Sequence, residues 1–265
     1  MSQPATTTPD TWQSLSQFTA ARIALGRAGI SLPTRACLDF QLAHALARDA
    51  VNLPLDFDQL AKSLAGQGIA SLCLQSQASN PQTYLQRPDL GRLLSPAAQR
   101  SLQDLNPSAA TDAVVIVADG LSSTAISHHA EAFLSLLLPN LQAQQYRMPP
   151  VCLVKHGRVA IGDAIADHFA ARLCIVLIGE RPGLSSPDSM GIYFTYQARS
   201  GFSTDADRNC ISNIHHNGLS YPQALHKLLF LIAGAEQLKL SGVALKDQST
   251  EAGLALPQAN FLLDF

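Results

Sequence analysis

The stretch AVVIVADGLSS, residues 113–123, decides the fold of this chain. Residues 113–118 are apolar without interruption, and Asp119-Gly120 ends the run. A short apolar run that stops at a turn signal is typical of a strand covered on both faces. Over residues 121–138, apolar side chains recur on one helical face, and Pro139 is expected to stop the helix. The stretch therefore predicts a buried strand that leads into a helix.

The same alternation of strand and helix continues on both sides of this stretch. The sequence predicts further strands over residues 69–74, 151–154, 173–178 and 192–196. It predicts further helices over residues 159–171 and 220–238, the second opened by a capping box of Ser220 and Gln223. Strands that are apolar on both faces and alternate with helices predict an α/β fold, with a mostly parallel sheet and helices on both faces.

The N-terminal part of the chain has a different pattern. It shows helical periodicity, with apolar residues on one face at Leu38, Leu42, Ala45 and Leu46. The first residues are polar and rich in Pro and Thr, which is typical of a disordered tail. We therefore predict a disordered tail over residues 1–11, a small helical domain over 12–65 and an α/β domain over 66–265.

Composition argues against several classes of protein. Only 14% of the 265 residues are charged, against roughly 25% in soluble domains, which favours a surface partly covered by a partner. An unusually Ala- and Leu-rich monomer would show the same composition.

The net charge of −2 and the lack of a long Lys/Arg run argue against nucleic-acid binding. No apolar run approaches the ~20 residues of a membrane span, and the N-terminus does not resemble a secretory signal. The five scattered cysteines lack a C-x-x-C motif, so we expect a cytoplasmic protein.

Ligands of parallel α/β sheets bind outside the carboxyl ends of the strands. The loops expected at this edge span residues 119–123, 179–189 and 205–217. In the first, Ser122 or Ser123 can cap the next helix, and free N–H groups could hold an anion or a cofactor amide. An ordinary capped turn explains the same residues. The loop lacks both G-x-G-x-x-G and G-x-x-x-x-G-K-[ST], which argues against nucleotide binding through the known loops.

The other two loops carry polar groups whose roles the residues alone leave open. Glu180 follows an apolar strand and precedes Arg181, so it could form a local ion pair or accept N–H groups from a ligand. Cys210 lies in the polar stretch DADRNCISNI and could be a nucleophile, although no histidine stands in a known relation to it. A soft contact in a mixed polar wall suits Cys210 equally well.

Two histidine pairs are weak metal candidates. His128-His129 lies inside a predicted helix, where neighbouring side chains point about 100° apart, so packing is favoured over shared ligation. His215-His216 lies in a polar loop without a carboxylate or cysteine at a familiar ligand spacing. We predict no metal ligand in this chain.

Six stretches of the chain together resemble the small, or light, subunit family of ethanolamine ammonia-lyase. They are long, stay in order and span nearly the whole chain. The stretches are ARIALGRAGISLPTRACLDFQLAHALARDAV (21–51), YLQRPDLGRLLS (84–95), VVIVADGLSS (114–123), KHGRVAIGDAI (155–165), VLIGERPGLSSPDSMG (176–191) and DRNCISNIHHNGLSY (207–221).

The resemblance implies an adenosylcobalamin-dependent lyase that converts ethanolamine to acetaldehyde and ammonia. A TIM-barrel large subunit would hold the substrate and the catalytic residues. The small subunit, with a helical N-terminal part and a Rossmann-like C-terminal part, would cover part of the corrin in a heteromer with several copies of each subunit. The implied cofactor contacts are Val159 in GRVAIGD, Glu180 in GERPGL and Cys210 in DRNCISNI.

The resemblance places no catalytic residue on this chain. A D-x-H-x-x-G pattern that would put a histidine on cobalt is absent, so cobalt ligation by this chain is not expected. Enclosure of the complex in a bacterial microcompartment stays open. Two alternatives are a stand-alone hydrolase or transferase using Asp119, Ser122 and a loop histidine, and a non-catalytic scaffold subunit.

Overall fold

One six-stranded sheet organises the chain in the computed structural model, which describes residues 7–105 and 111–249. The strands lie in the order β1-β3-β2-β4-β5-β6. The first four strands of that order are parallel, whereas β5 runs antiparallel to β4 and β6 antiparallel to β5. The strands are β1 Ser71–Gln75, β2 Ala113–Ala118, β3 Val151–Lys155, β4 Leu173–Gly179, β5 Met190–Tyr196 and β6 Arg208–Ile214.

Helices cover both faces of the sheet. They are α1 Thr34–Asn52, α2 Phe57–Gly66, α3 Pro81–Gln86, α4 Pro96–Asp104, α5 Ser123–Ala143, α6 Ile161–His168 and α7 Tyr221–Leu238. One buried layer combines one sheet face with α2, α5 and α7, and the other combines the opposite face with α4 and α6. The predicted α/β class, with a mostly parallel sheet covered on both faces, is confirmed.

Helix α5 continues through the proline that was expected to stop it. Pro139 lies inside the helix, which ends only at Ala143. A helical proline removes one backbone hydrogen bond and strains the preceding turn. Here Leu138 and Leu141 keep the apolar face buried on both sides of Pro139, and this packing offsets the local cost. The predicted end of the helix was therefore wrong by about one turn.

Strand β6 replaces most of the loop predicted over residues 205–217. Its sequence is polar because it lies at the edge of the sheet, beyond β5. Only Arg208, Ile211 and Ile214 are buried, and the register shifts between Met190 and Ile192 of β5. Partial burial and an irregular register hide the period-two alternation by which strands are recognised in sequence.

The N-terminal part contains a short 3-10 helix, Gln13–Phe18, an extended arm and the helices α1 and α2. Leu60 and Leu64 of α2 belong to the buried layer of the sheet, so this helix packs on the α/β part. The predicted division at residue 65 stays a prediction. Of the predicted tail, Thr8 pairs with Arg27, while residues 1–6 lie outside the described residues. Residues 250–265 of the predicted α/β domain also lie outside them.

Helix α1 carries its large apolar side chains on the outside. Leu38, Leu42 and Leu46 are 58%, 60% and 49% exposed. The buried residues of the helix are the small Ala43 and Ala50, and the helix packs against α5. The leucine face that predicted a packed helical domain is therefore uncovered in the isolated chain.

None of the helices in the described part of the chain is both long and apolar enough to cross a bilayer.

Candidate cofactor-binding face

The crevice between the carboxyl ends of β2 and β4 is closed by backbone. After β2 the chain adds β3 on one side of that strand and then β4 on the other, so the strand order reverses between β2 and β4. Open α/β sheets usually bind ligands at such a point. The Leu121 N–H donates to Gly179 O at 2.9 Å. A Cβ on Gly120, whose φ is +62°, would collide with Gly179 O. This contact leaves no room for a ligand between the ends of β2 and β4.

Asp119 ties the end of β2 to the turn after β3. Its carboxylate accepts the backbone N–H groups of Gly120 at 3.0 Å, His156 at 2.9 Å and Gly157 at 3.2 Å. His156 Nδ1 also lies 3.3 Å from Asp119 Oδ2. Because these groups occupy both oxygens of a buried carboxylate, the arrangement explains Asp119 as a structural anchor.

Ser122 also serves the fold. Its Oγ caps α5 by accepting from Ala125 N at 3.1 Å and donates to Pro187 O at 2.8 Å. The side chain is completely buried. The capped-turn interpretation of this loop is therefore sufficient. The residues of the hydrolase alternative, Asp119 and Ser122, are engaged in holding strand and loop ends together.

Glu180 stands directly after β4, at the carboxyl edge of the sheet, and is half-buried. Its Oε2 accepts from Ser189 Oγ at 2.5 Å and from the Asn213 backbone N–H at 3.2 Å. The Glu180 N–H donates to Ser189 O at 2.9 Å, which closes the loop between them. Among the described residues, these side-chain bonds use one oxygen only, so Oε1 remains available as an acceptor.

Cys210 lies on β6, next to Tyr193 of β5 in the strand register. Its side chain is exposed and, with Asn213, lines a shallow surface depression of about 540 Å³. Neighbouring groups partly shield the Cys210 thiol from water, which raises its pKa. A hydrogen bond with Tyr193 opposes this shift, and the negative charge of Glu180 adds to it. A thiol with a raised pKa is a poor nucleophile, so the site favours Cys210 as a contact residue.

Val159 lies in the turn before α6, two residues ahead of the helix it was expected to begin. It is partly buried and packs against the same apolar layer as Tyr193. Three of the sequence-predicted positions thus relate to one side of the sheet. Glu180 accepts a hydrogen bond from Asn213 of β6, and Cys210 of the same strand lies beside Tyr193. Val159 packs on the apolar layer that Tyr193 also contacts.

Several residues of this face were missed by sequence reasoning. Tyr193, Ser189 and Asn213 surround Glu180 and Cys210, but only the strand register and the loop path bring them there. His215, proposed as a weak metal candidate, uses Nε2 on Asn213 Oδ1 at 2.9 Å and Nδ1 on the Asn217 N–H at 3.3 Å. Both ring nitrogens of His215 therefore have protein partners.

The chemistry of the face fits a broad ligand that carries amide groups. Strand β6 is partly exposed, with the Glu180 carboxylate near its carboxyl end and the Cys210 thiol on its surface. Together they form a wide, weakly polar wall. A carboxylate accepts N–H groups strongly, whereas a thiol adds a soft contact of low directionality. No such ligand could enter the closed crevice between β2 and β4.

Comparison with known proteins supports the family resemblance over nearly the whole chain. A family model described as "Ethanolamine ammonia-lyase light chain (EutC)" matches residues 9–246. The chain is 51% identical over 265 residues to the ethanolamine ammonia-lyase small subunit of Azotobacter vinelandii. The alignment covers 98% of this chain and 97% of that protein. It is 50% identical over 264 residues to the small subunit of Ralstonia nicotianae, with coverage of 98% and 97%. It is 49% identical over 272 residues to that of Pseudomonas fluorescens strain Pf0-1, with coverage of 100% and 98%. The chain therefore belongs to the ethanolamine ammonia-lyase light-chain family.

Proposed function

We propose that this chain is the small subunit of an adenosylcobalamin-dependent ethanolamine ammonia-lyase and forms part of its cobalamin site. The observation that carries the proposal is that Glu180 bonds to β6, the strand that carries Cys210, and that Val159 packs on the same apolar layer as Tyr193, the neighbour of Cys210. These are the residues that the family resemblance implies as cofactor contacts. The curated relatives bear the name of an ethanolamine ammonia-lyase small subunit, and the proposal extends their activity to this chain.

Each residue of the face has a defined task in this proposal. Glu180 Oε1 accepts an N–H from a corrin amide, while Oε2 stays bonded to Ser189 and Asn213. Cys210 and Val159 supply soft and apolar contact to the ring. The bound cofactor supplies radical chemistry, for which the protein provides position and electrostatics.

The large subunit supplies the rest of the active site. Asp119 and Ser122, the acid and hydroxyl of the hydrolase alternative, are used for structural bonds. The exposed leucine face of α1 gives a surface against which a larger partner could pack. We therefore assign substrate binding and the lyase reaction, ethanolamine to acetaldehyde and ammonia, to a TIM-barrel partner in a cytoplasmic heteromer.

Reconstitution tests this division of labour. The chain is expressed alone and together with a large subunit, and ammonia release from ethanolamine is measured with and without adenosylcobalamin. We expect turnover only when both subunits and the cofactor are present. Ammonia release by this chain alone would contradict the proposal, as would full activity of the large subunit without it.

Thiol alkylation in the same complex tests the cofactor contact directly. Cys210 and Cys73 are both exposed, but Cys73 lies on β1, at the opposite edge of the sheet. Bound cofactor is expected to slow the alkylation of Cys210 and to leave that of Cys73 unchanged. Equal labelling of Cys210 with and without cofactor would argue against the contact.

A further inference from the structure

Two neighbouring histidines of α5 converge on one carboxylate, although sequence reasoning expected their rings to diverge. His128 Nδ1 lies 3.3 Å from Asp188 Oδ2, and His129 Nε2 lies 3.5 Å from the same oxygen. The rings are nearly perpendicular, at 86°, with centroids 5.9 Å apart. They converge because Asp188 belongs to the loop between β4 and β5 and approaches α5 beside both side chains.

One nitrogen at this point is buried and has no hydrogen-bond partner in the part of the chain that the structure describes. The side chain of His129 is only 7% exposed, and its Nδ1 shares a 2.8 Å hydrogen bond with Tyr221 Oη. Its Nε2 lies 3.5 Å from Asp188 Oδ2 and forms no hydrogen bond with the described residues. If Nδ1 carries the proton, Nε2 turns a lone pair toward a carboxylate. A cation between Nε2 and Asp188 would satisfy both groups.

We infer that His128, His129 and Asp188 bind a divalent transition-metal ion of the zinc type. Two imidazole nitrogens and one carboxylate oxygen suit Zn²⁺, whereas Mg²⁺ and Ca²⁺ prefer oxygen ligands alone. The three ligand atoms lie within 4.8 Å of one another. A tetrahedral zinc site with bonds of 2.0–2.2 Å needs separations of about 3.4 Å. The side chain of His128 is 56% exposed, so it has room to turn and close this difference.

The surroundings of the three residues match those of a metal site. Tyr221 Oη bonds the nitrogen of His129 that does not face Asp188, as outer partners of metal-bound histidines do. Burial lowers the pKa of His129, which favours the neutral imidazole that ligates a metal. The exposed side of His128 leaves room for a water molecule as the fourth ligand.

The ion would fix the position of the loop that carries Glu180. Asp188 directly precedes Ser189, whose Oγ bonds Glu180, and follows Pro187, whose carbonyl is held by Ser122. A metal bond to Asp188 would therefore add a second anchor between this loop and α5. The inference depends only on the geometry of this chain and not on the proposed cofactor.

Zinc titration of the full chain, prepared without an affinity tag, tests the site. Calorimetry should show one zinc ion bound per chain, and Co²⁺ in place of Zn²⁺ should give the visible absorption of a tetrahedral ion. His128→Gln and Asp188→Asn should each weaken binding by at least about 100-fold, and Tyr221→Phe by about tenfold. His216→Gln, which changes an exposed loop histidine, is the matched control and should bind as the parent does.

Two results would overturn the inference: no zinc bound by the parent chain, or equal binding by the parent and the Asp188→Asn variant. Circular dichroism without metal checks that each variant is folded before its zinc binding is compared with that of the parent. His128 is exposed, so its replacement should leave the fold intact. If only the Asp188→Asn variant unfolds, the His128→Gln result decides.

Discussion

Glu180 is the residue whose charge should matter most for cofactor binding. In a Glu180→Gln variant, the side chain keeps an acceptor oxygen but loses the negative charge. The loss of a charge-assisted hydrogen bond costs about 1.5–3 kcal/mol, or roughly 10- to 150-fold in affinity. We therefore expect cofactor affinity of the assembled complex to fall within that range, as measured by titration followed by visible absorption.

Ser189→Ala provides the matched control for this substitution. It removes the Ser189 Oγ bond to Glu180 Oε2 but leaves the carboxylate charged. Because this bond lies within the protein and the carboxylate that would accept the corrin N–H keeps its charge, cofactor affinity should fall less than in Glu180→Gln. Unchanged affinity in the Glu180→Gln complex would show that this carboxylate does not contact the cofactor.

At the residue scale, sequence indicated where Glu180 lies in the fold better than which residues surround it. Glu180 was recognisable because a charged residue directly after an apolar strand must lie at an edge of the sheet. Tyr193 was not, because its position beside Cys210 depends on the register of two antiparallel strands. The convergence of His128 and His129 was hidden for a similar reason, since Asp188 reaches them through a loop that no periodicity describes.

Among the elements, α6 and β6 are joined by a buried ion pair. Arg208 of β6 donates to both carboxylate oxygens of Asp163 of α6, at 2.6 and 2.8 Å, and both side chains are at least 95% buried. Removal of one charge leaves the other buried without compensation, which costs about 3–5 kcal/mol. We expect Asp163→Asn to lower the free energy of unfolding by that amount in urea denaturation.

Asp205 offers an internal control for this prediction. Its carboxylate lies 3.6 Å from Arg208 Nε, but its side chain is 87% exposed. Solvent screens such a pair, so Asp205→Asn should change the free energy of unfolding by no more than about 1 kcal/mol. Equal losses in the two variants would mean that burial does not determine the strength of the Arg208 contacts.

Continuously apolar strands were predicted to within one residue of their bounds, whereas the edge strand β6 was missed and the end of α5 was misplaced. The strand Ala113–Ala118 is buried at every position, so its apolar run is also its extent. Strand β6 is an edge strand, and its exposed side chains resemble those of a loop. Helix α5 exceeds its predicted end because tertiary packing of Leu141 outweighs the local effect of Pro139.

For the whole molecule, low charge and an uncovered apolar surface indicate the same property. The chain has 14% charged residues, and residues 12–53 expose many large apolar side chains. These are Trp12, Phe18, Ile23, Leu25, Ile30, Leu32, Leu38, Phe40, Leu42, Leu46 and Leu53. A concentration of exposed apolar side chains in one segment is typical of an interface with another chain. Composition alone could not separate this case from that of an Ala- and Leu-rich monomer, because it does not show which leucines are buried.

The leucine face of α1 should therefore be needed for assembly with the large subunit. A variant with Leu38→Ser, Leu42→Ser and Leu46→Ser should fold, because Ala43 and Ala50 make the buried contacts of this helix. Since burial of a leucine side chain contributes about 1.5–3 kcal/mol, the loss of three half-exposed ones should weaken assembly by more than about tenfold. Size-exclusion chromatography of the co-expressed subunits measures this loss. Leu238→Ser, at an equally exposed leucine of α7, should leave assembly intact. If the triple variant assembles as well as the parent chain, the leucine face does not contact the large subunit. An interface that buries three leucines cannot lose them without weakening.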